Sequence, residues 1–560
     1  MIFESISIKN FRNFKDIQVT LSNKNVFLGL NNVGKTNFLY AFRFIFDREI
    51  RKNNLLDSDF HCKKTDEPIE IVVKIDISDT SCVDSQKLRA KLKGAISSSH
   101  DKVFIKLSAE YNKTELLAMP ILSWGGDIDN LYEMKQRGYM YDIDYIMNVI
   151  YIDSYVDLNK LFKKSIGSLI KNDDNADENI ITEIEKTVTS LNSRISSLSG
   201  VKSFEERITP EYRKFRDENI SVSVKSEIAI KGLYSNIVPY IRTQPDETLY
   251  PTSGEGRKKL LVYSIFSLIS AEHEEKKINL FLIEEPENHL HKSIQIALSQ
   301  ILFEDNKYNY LFMSTHSPFI LYEMNKVNLV RIYNKTKIDS TSEFYTVPQE
   351  YGDNKKMLNK GLSEAIFADK VLLVEGPSEL ILFEKVLSSI NPFFESDGIY
   401  ILPVNGIGFK KYRDILENLK ILNTIKTDND LRIVKKTGDY SALGFSRVNK
   451  YIKKQHELPK DSLQNNTIES KRSLYTENKN VLDVIREEYG IYLSKTDLEN
   501  DLDEVLHDEL ITYLNTEDPV KYLQEAKNNN MVKLTTHLKK EDCNKIYEHY
   551  NFACLKEVLK

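Results

Sequence analysis

Cysteine is scarce: Cys62, Cys82, Cys543 and Cys554 are the only four in 560 residues, and no two stand in a CxxC spacing. That excludes a zinc ribbon and supplies no disulfide framework, which suits a reducing compartment. The opening MIFESISIKNFRNF has no basic stretch followed by a long apolar run, and no segment approaches the roughly 20 apolar residues of a membrane span. The expectation is a soluble, unprocessed, cytoplasmic protein with no membrane partner. Excess positive charge is absent as well. With a formal net charge of −6, contact with nucleic acid must come from local basic surface rather than a global field. At 41% hydrophobic and 29% charged residues, the chain is not disordered and is long enough for two or more cores.

The chemistry-bearing signals begin with strands expected at Ile2–Ile8 and Val26–Leu28. The second runs into Gly29-Leu30-Asn31-Asn32-Val33-Gly34-Lys35-Thr36, a GxxxxGKT phosphate loop followed by a helical apolar pattern at Phe38, Leu39, Phe42, Ile45 and Phe46. Backbone amides of Asn31, Asn32 and Gly34 would cradle phosphate, Lys35 would reach the β/γ-phosphates, and the Thr36 hydroxyl would ligate Mg²⁺. Ile69–Ser78 alternates as a half-buried strand, and Val103–Leu107 adds another. Further on, Thr252-Ser253-Gly254-Glu255-Gly256-Arg257 opens an apolar helix, and LFLIEEPENHLH ends a buried strand in paired acids. There Glu284 would hold the metal's water shell and Glu285 would polarise the attacking water. The strand Tyr310–Met313 then leads to Ser314-Thr315-His316, which offers His316 to a γ-phosphate. In this order the pieces resemble the ABC-type ATPase head of the SMC and RecF group, whose first strand also runs into an Asn-Phe-Arg like Asn10-Phe11-Arg12. In such heads Ser253 and Gly254 of one chain would close on the nucleotide of another, so two heads are needed. One departure is Asn288-His289, which stand where that group has small residues.

Between these motifs, Ile181, Ile184, Val188, Leu191, Ile195 and Leu198 form a helical seam that suits either intramolecular packing or dimerisation. The expected organisation is an ATPase domain over 1–345 with a helical insertion at 155–235.

A second unit is expected over 346–560. The stretch VLLVEGPSE reads as a buried strand delivering Glu375 to a sheet edge, followed by a proline-started helix carrying Glu379. Strands at Ile399–Val404 and Asn423–Lys426 lead to Asn405-Gly406 and to Asp428 and Asp430. Such alternation implies a parallel α/β sheet with its ligands at the carboxyl ends of the strands. Glu375, Asp428 and Asp430 would repel one another unless balanced, and Mg²⁺ (or Mn²⁺) is the natural counter-ion; separate solvated acids on loops are the competing reading. Ile491–Leu493 then delivers Asp497 and Glu499, enough for a second ion, and Lys527 is the candidate cation for a pentavalent transition state. The segment 432–480 holds eleven Lys or Arg against five Asp or Glu, a local basic insertion able to meet phosphates or simply to be solvated.

The Glu-Gly and Asp-x-Asp pair resembles the Toprim domain of topoisomerases, primases and nucleases. No cysteine zinc module or separate tyrosine domain accompanies it, which leaves a nuclease. An ABC head joined to a Toprim nuclease resembles the OLD family (overcoming lysogenisation defect), and within it the endonuclease subunits of Gabija anti-phage systems. The motifs carrying this run the length of the chain: NFRNF, the phosphate loop, YPTSGEGR, LIEEPE, STHSP, LLVEGPSE, IKTDNDL, YLSKTDLENDL and DPVKYLQEAK. The resemblance implies an Mg²⁺-dependent endonuclease that nicks duplex DNA under ATP control, a tetramer, and a UvrD-like helicase partner. It also implies a nuclease site of Glu375, Glu379, Asp428, Asp430, Asp497, Glu499 and Lys527, with His316 as the switch of the ATPase. Glu375 and Glu379 could each serve as ligand or base. Two other functions fit the residues: an SMC-like repair ATPase with a non-catalytic C-terminal domain, and a nucleotide sensor that recruits another nuclease.

Overall fold

The structure is a computed structural model. It describes residues 1–29, 33–92, 100–155, 178–213, 240–242, 249–251, 256, 258–259, 261–264, 277–304, 308–324, 326–334, 340–346, 355–405, 408–435, 437–460 and 462–560, with only the backbone for some, Lys527 among them.

Alternating apolar residues build the first sheet. Its strands are β1 (Ile2–Phe11), β2 (Phe14–Thr20), β4 (Ile69–Asp76), β5 (Lys102–Ala109), β6 (Ile121–Gly125) and β7 (Tyr132–Glu133). They are antiparallel in the order β2-β1-β4-β5-β6-β7. Ile69, Ile71, Val73 and Ile75 are fully buried on one face of β4, as the period of two requires.

Continuous apolar runs build the second sheet, which is parallel except at one edge. Its strands are β3 (Lys24–Leu28), β8 (Met147–Ile152), β9 (Ile278–Glu284), β10 (Leu311–Ser314), β11 (Asn328–Asn334) and β12 (Ser340–Thr346), in the order β8-β9-β10-β3-β11-β12. Only the β11–β12 pair is antiparallel. Helix α1 (Lys35–Phe46) follows β3 and joins the two sheets. Phe3 of β1 has the rings of Phe42, Phe46, Tyr310 and Phe312 at centroid distances of 5.3 to 6.1 Å, so one aromatic core serves β1, α1 and β10.

The third sheet is wholly parallel. It consists of β13 (Lys370–Val374), β14 (Ile399–Pro403), β15 (Leu422–Thr427) and β16 (Ile491–Leu493), in the order β14-β13-β15-β16. Helices α2 (Pro377–Ile390), α4 (Leu498–Leu514) and α5 (Lys527–His537) pack their leucines and Phe383 into its core. Between β15 and β16 the basic insertion folds as a small antiparallel sheet, Leu431–Ile433, Tyr440–Ala442 and Ser462–Leu463, with the short helix α3 (Leu443–Val448).

Asp153–Glu275 with Asn288–His291 forms a compact unit of its own, and the remainder of the chain forms another. The smaller unit holds the helices Glu178–Ser196 and Ser199–Arg213, and two members of the apolar seam, Leu191 and Leu198, are exposed.

Candidate functional site

The phosphate loop is built where β3 ends. Gly29 has φ +143, and a Cβ there would lie 2.2 Å from the Ile332 carbonyl oxygen of β11. Gly34, the residue that caps α1, has φ +107, and its Cβ would lie 1.9 Å from Asn13 Nδ2. Neither position admits a side chain, so the loop needs both glycines. Asn13 donates to the Val33 carbonyl at 2.7 Å and accepts from Asn37 Nδ2 at 2.8 Å, while Arg12 reaches Asn37 and Asp59 at 2.9 Å. The Arg12-Asn13 pair thus braces the loop from the β1–β2 turn. Lys35 is buried and donates to the Gly29 carbonyl at 2.9 Å; burial pulls its ammonium down to about 8. Thr36 is exposed at the helix start. Asn31, Asn32, Ser253 and Gly254 lie outside the described residues.

Beside the loop, Glu284 is buried at the end of β9, and Glu285 follows with φ +43, an uncommon conformation for a residue with a side chain. His316 Nε2 lies 3.7 Å from Glu285 Oε1, and burial, then Lys35, hold the imidazole below its ordinary value, so it is neutral at pH 7. Glu287 organises this corner: it accepts from the His316 amide at 2.7 Å and from Thr315 Oγ1 at 2.8 Å, and burial raises its pKa. The motif reading passed over Glu287 as a site residue. Its signal was there, as the third acid of LIEEPE.

The carboxyl edge of the parallel sheet gathers the second set. Glu375 leaves β13 and accepts from Thr427 Oγ1 at 2.5 Å, from the Asp428 amide at 3.0 Å and from Arg447 Nη1. The other arm of Arg447 donates to Asp430 Oδ2 at 2.8 Å. Glu379 is buried, and its carboxylate turns back to the Gly376 amide at 3.2 Å, closing the first turn of α2. Burial, and then Glu375 and Glu499, push Glu379 up to about 7. Burial, then Glu379 and Glu375, push Asp428 well above the carboxylate range; it accepts from Ser494 Oγ at 3.1 Å. Glu375, Glu379, Asp428, Asp430 and Glu499 therefore share one electrostatic neighbourhood.

Asp497 is occupied differently. Its Oδ1 caps α4, accepting from the Asn500 amide at 2.9 Å and side chain at 2.8 Å, and its Oδ2 accepts from Gln524 at 3.1 Å. Lys527 begins α5, and its side chain lies outside the described residues. Beneath the acids, Lys426 and Asp501 form a fully buried pair at 3.0 Å, and Lys426 also donates to the Asn551 carbonyl at 3.0 Å. Among the described residues no three His, Cys, Asp or Glu side chains are gathered closely enough to hold a metal ion. The guanidinium of Arg447 lies across Glu375 and Asp430. Sequence reasoning counted Arg447 only as one charge of the basic insertion, because nothing local marks its contact with a strand end 72 residues away.

Comparisons with known proteins find two domain families in the chain. Residues 366–430 match the overcoming lysogenization defect protein-like TOPRIM domain, and residues 1–192 and 157–321 match the AAA ATPase domain. The chain is 43% identical to endonuclease GajA of Bacillus cereus (strain VD045), over 100% of this chain and 99% of that one. It is 24% identical to endonuclease GajA of Bacillus cereus (strain HuB5-5) over 50% of this chain and 45% of that protein, and 22% identical to the Old nuclease of Escherichia phage P2 over 76% and 77%. An ATPase head followed by a Toprim domain, with 43% identity along the whole chain to an endonuclease, places the chain: it belongs to the family of the GajA endonucleases, among the OLD-like Toprim nucleases.

Proposed function

We propose that the chain is an Mg²⁺-dependent DNA endonuclease of anti-phage defence that nicks duplex DNA, with ATP bound at the head restraining cleavage. The observation that carries the nuclease reading is the crowding of carboxylates at the edge of the third sheet, where Glu379 is pushed up to about 7 and Asp428 is raised with it. Such a donor set suits a hard divalent cation, since Glu375 and Asp430 already share a positive group and the neighbouring acids are in excess. Glu375, Asp428 and Asp430, with Glu379 and Glu499 beside them, would hold it. The bound ion would activate water and stabilise the leaving oxygen. The chain's own residues do the rest. Thr427 and the Asp428 amide aim Glu375, and Glu379, poised near neutrality, can hold or release a proton at its carboxylate. Exposed Lys450, Lys453, Lys454 and Arg472 give the insertion a surface for DNA phosphates.

Nucleotide control is supported by a continuous path. Arg331 of β11 pairs in register with Leu28, the residue before the phosphate loop. Its guanidinium donates to Asp369 at 2.7 Å and to the Lys420 carbonyl at 2.9 Å. Asp369 precedes β13, whose far end delivers Glu375. The tetramer, the pairing of ATPase heads through Ser253 and Gly254, and the UvrD-like helicase partner rest on the family resemblance.

The test is plasmid nicking with Mg²⁺ across an ATP titration. Nicking that falls as ATP rises, and is lost in Glu375→Ala, is expected. No nicking under any nucleotide condition would refute the nuclease reading and favour a repair ATPase.

A further inference from the structure

We propose that Arg447 is an internal counter-ion that competes with the divalent metal for Glu375 and Asp430. This rests on the reading of those two acids as metal ligands. The guanidinium contacts both carboxylates, one through each Nη, and its Nη1 also lies 3.3 Å from Thr427 Oγ1. Two charge-assisted bonds in a forked geometry make it a good substitute for a metal. A bare group of acids at one sheet edge would otherwise repel, and Lys426, a cation close by among the described residues, is committed to Asp501 beneath them.

The arginine is anchored at its backbone, and its head is partly exposed. Helix α3 sits directly on the Asp428–Asp430 loop: the Gly444 amide donates to the Asp430 carbonyl at 3.1 Å, and a Cβ on Gly444 would lie 2.7 Å from the Asp428 carbonyl oxygen. Phe445 and Val448 are buried on either side of it. The helix therefore cannot withdraw without unpacking. The side chain can, because Arg447 is 24% exposed and its partners Glu375 and Asp430 are 26% and 38% exposed. An incoming ion takes the two carboxylates by turning the guanidinium out, and the site is sprung between a metal-free bridged state and a metal-bound open one. Arg447 is thus a positioning residue that sets how much free metal the site needs.

The experiment measures Mn²⁺ binding to the full chain without DNA or nucleotide, by the loss of the free-ion paramagnetic resonance signal. Wild type, Arg447→Ala, Arg447→Lys and Glu375→Gln are compared, with circular dichroism confirming the fold. Removing the competitor should tighten Mn²⁺ binding about tenfold in Arg447→Ala, the equivalent of about 1.4 kcal/mol. Arg447→Lys keeps the charge and loses the fork, so it should bind several-fold tighter than wild type. Unchanged or weaker binding in Arg447→Ala overturns the proposal, and so does a lysine variant identical to wild type, which would reduce the effect to net charge. Should the alanine variant fail to fold, the lysine variant decides by the same criterion. If Glu375→Gln abolishes binding while the Arg447 variants change nothing, only this inference falls; if Glu375→Gln binds as wild type, the metal-site reading falls and takes the inference with it.

Discussion

Replacing Glu379 by glutamine is expected to stabilise the metal-free protein at neutral pH and to flatten its pH dependence. In the fold the carboxyl is buried, with Glu375 and Glu499 for neighbours, and its pKa rises from 4.5 to about 7. The unfolded chain ionises near 4.5 while the folded chain keeps its proton, so between those values the folded state holds more protons and stability falls as pH rises. At about 1.4 kcal/mol per pH unit, the cost reaches about 3 kcal/mol once the pH passes 7. The isosteric amide keeps the shape and removes the titration. Amide hydrogen exchange over Lys370–Ile390, corrected for intrinsic rates and followed from pH 4.5 to 8 in chelator, reads the local opening free energy. Wild type should lose about 3 kcal/mol relative to Glu379→Gln across that window, and Mg²⁺ should return part of it at pH 8. Parallel profiles for the two proteins would refute the assignment of Glu379 as the strained acid of the site.

Other outcomes follow from the same geometry. Lys426→Met leaves Asp501 charged and fully buried, and should cost about 3–5 kcal/mol in chemical denaturation; adding Asp501→Leu should recover most of it. Gly34→Ala drives a methyl into Asn13 at a left-handed backbone position and should abolish binding of a fluorescent ATP analogue, and Asn13→Ala in the same chain should not restore it, because the φ strain persists. Arg331→Gln gives up Asp369 and the Lys420 carbonyl, so nicking should continue with its ATP inhibition weakened at least several-fold; inhibition equal to wild type would show that control takes another route.

Much of this protein is local, and local features are legible in sequence. A run of branched apolar residues ending in an acid places Glu375 at a sheet edge whatever surrounds it, and GxxxxGKT needs its glycines because the backbone there cannot carry a Cβ. The alternation of Ile69 to Ile77 foretold β4 for the same reason. Sequence alone therefore determined the ATPase head and the parallel Toprim sheet, and it supplied the candidate acids. Tertiary structure decided what each acid touches. Asp497, expected as a ligand, spends both oxygens on Asn500 and Gln524, and Glu379 is turned back toward Gly376. Arg447 reaches Glu375 across 72 residues, Glu287 reaches His316 across 29, and Arg331 reaches Asp369 across 38. Such pairings depend on which strands lie side by side and which helix packs over their ends. No spacing along the chain encodes them, because a side chain's charge is balanced by whatever the fold brings within about 4 Å.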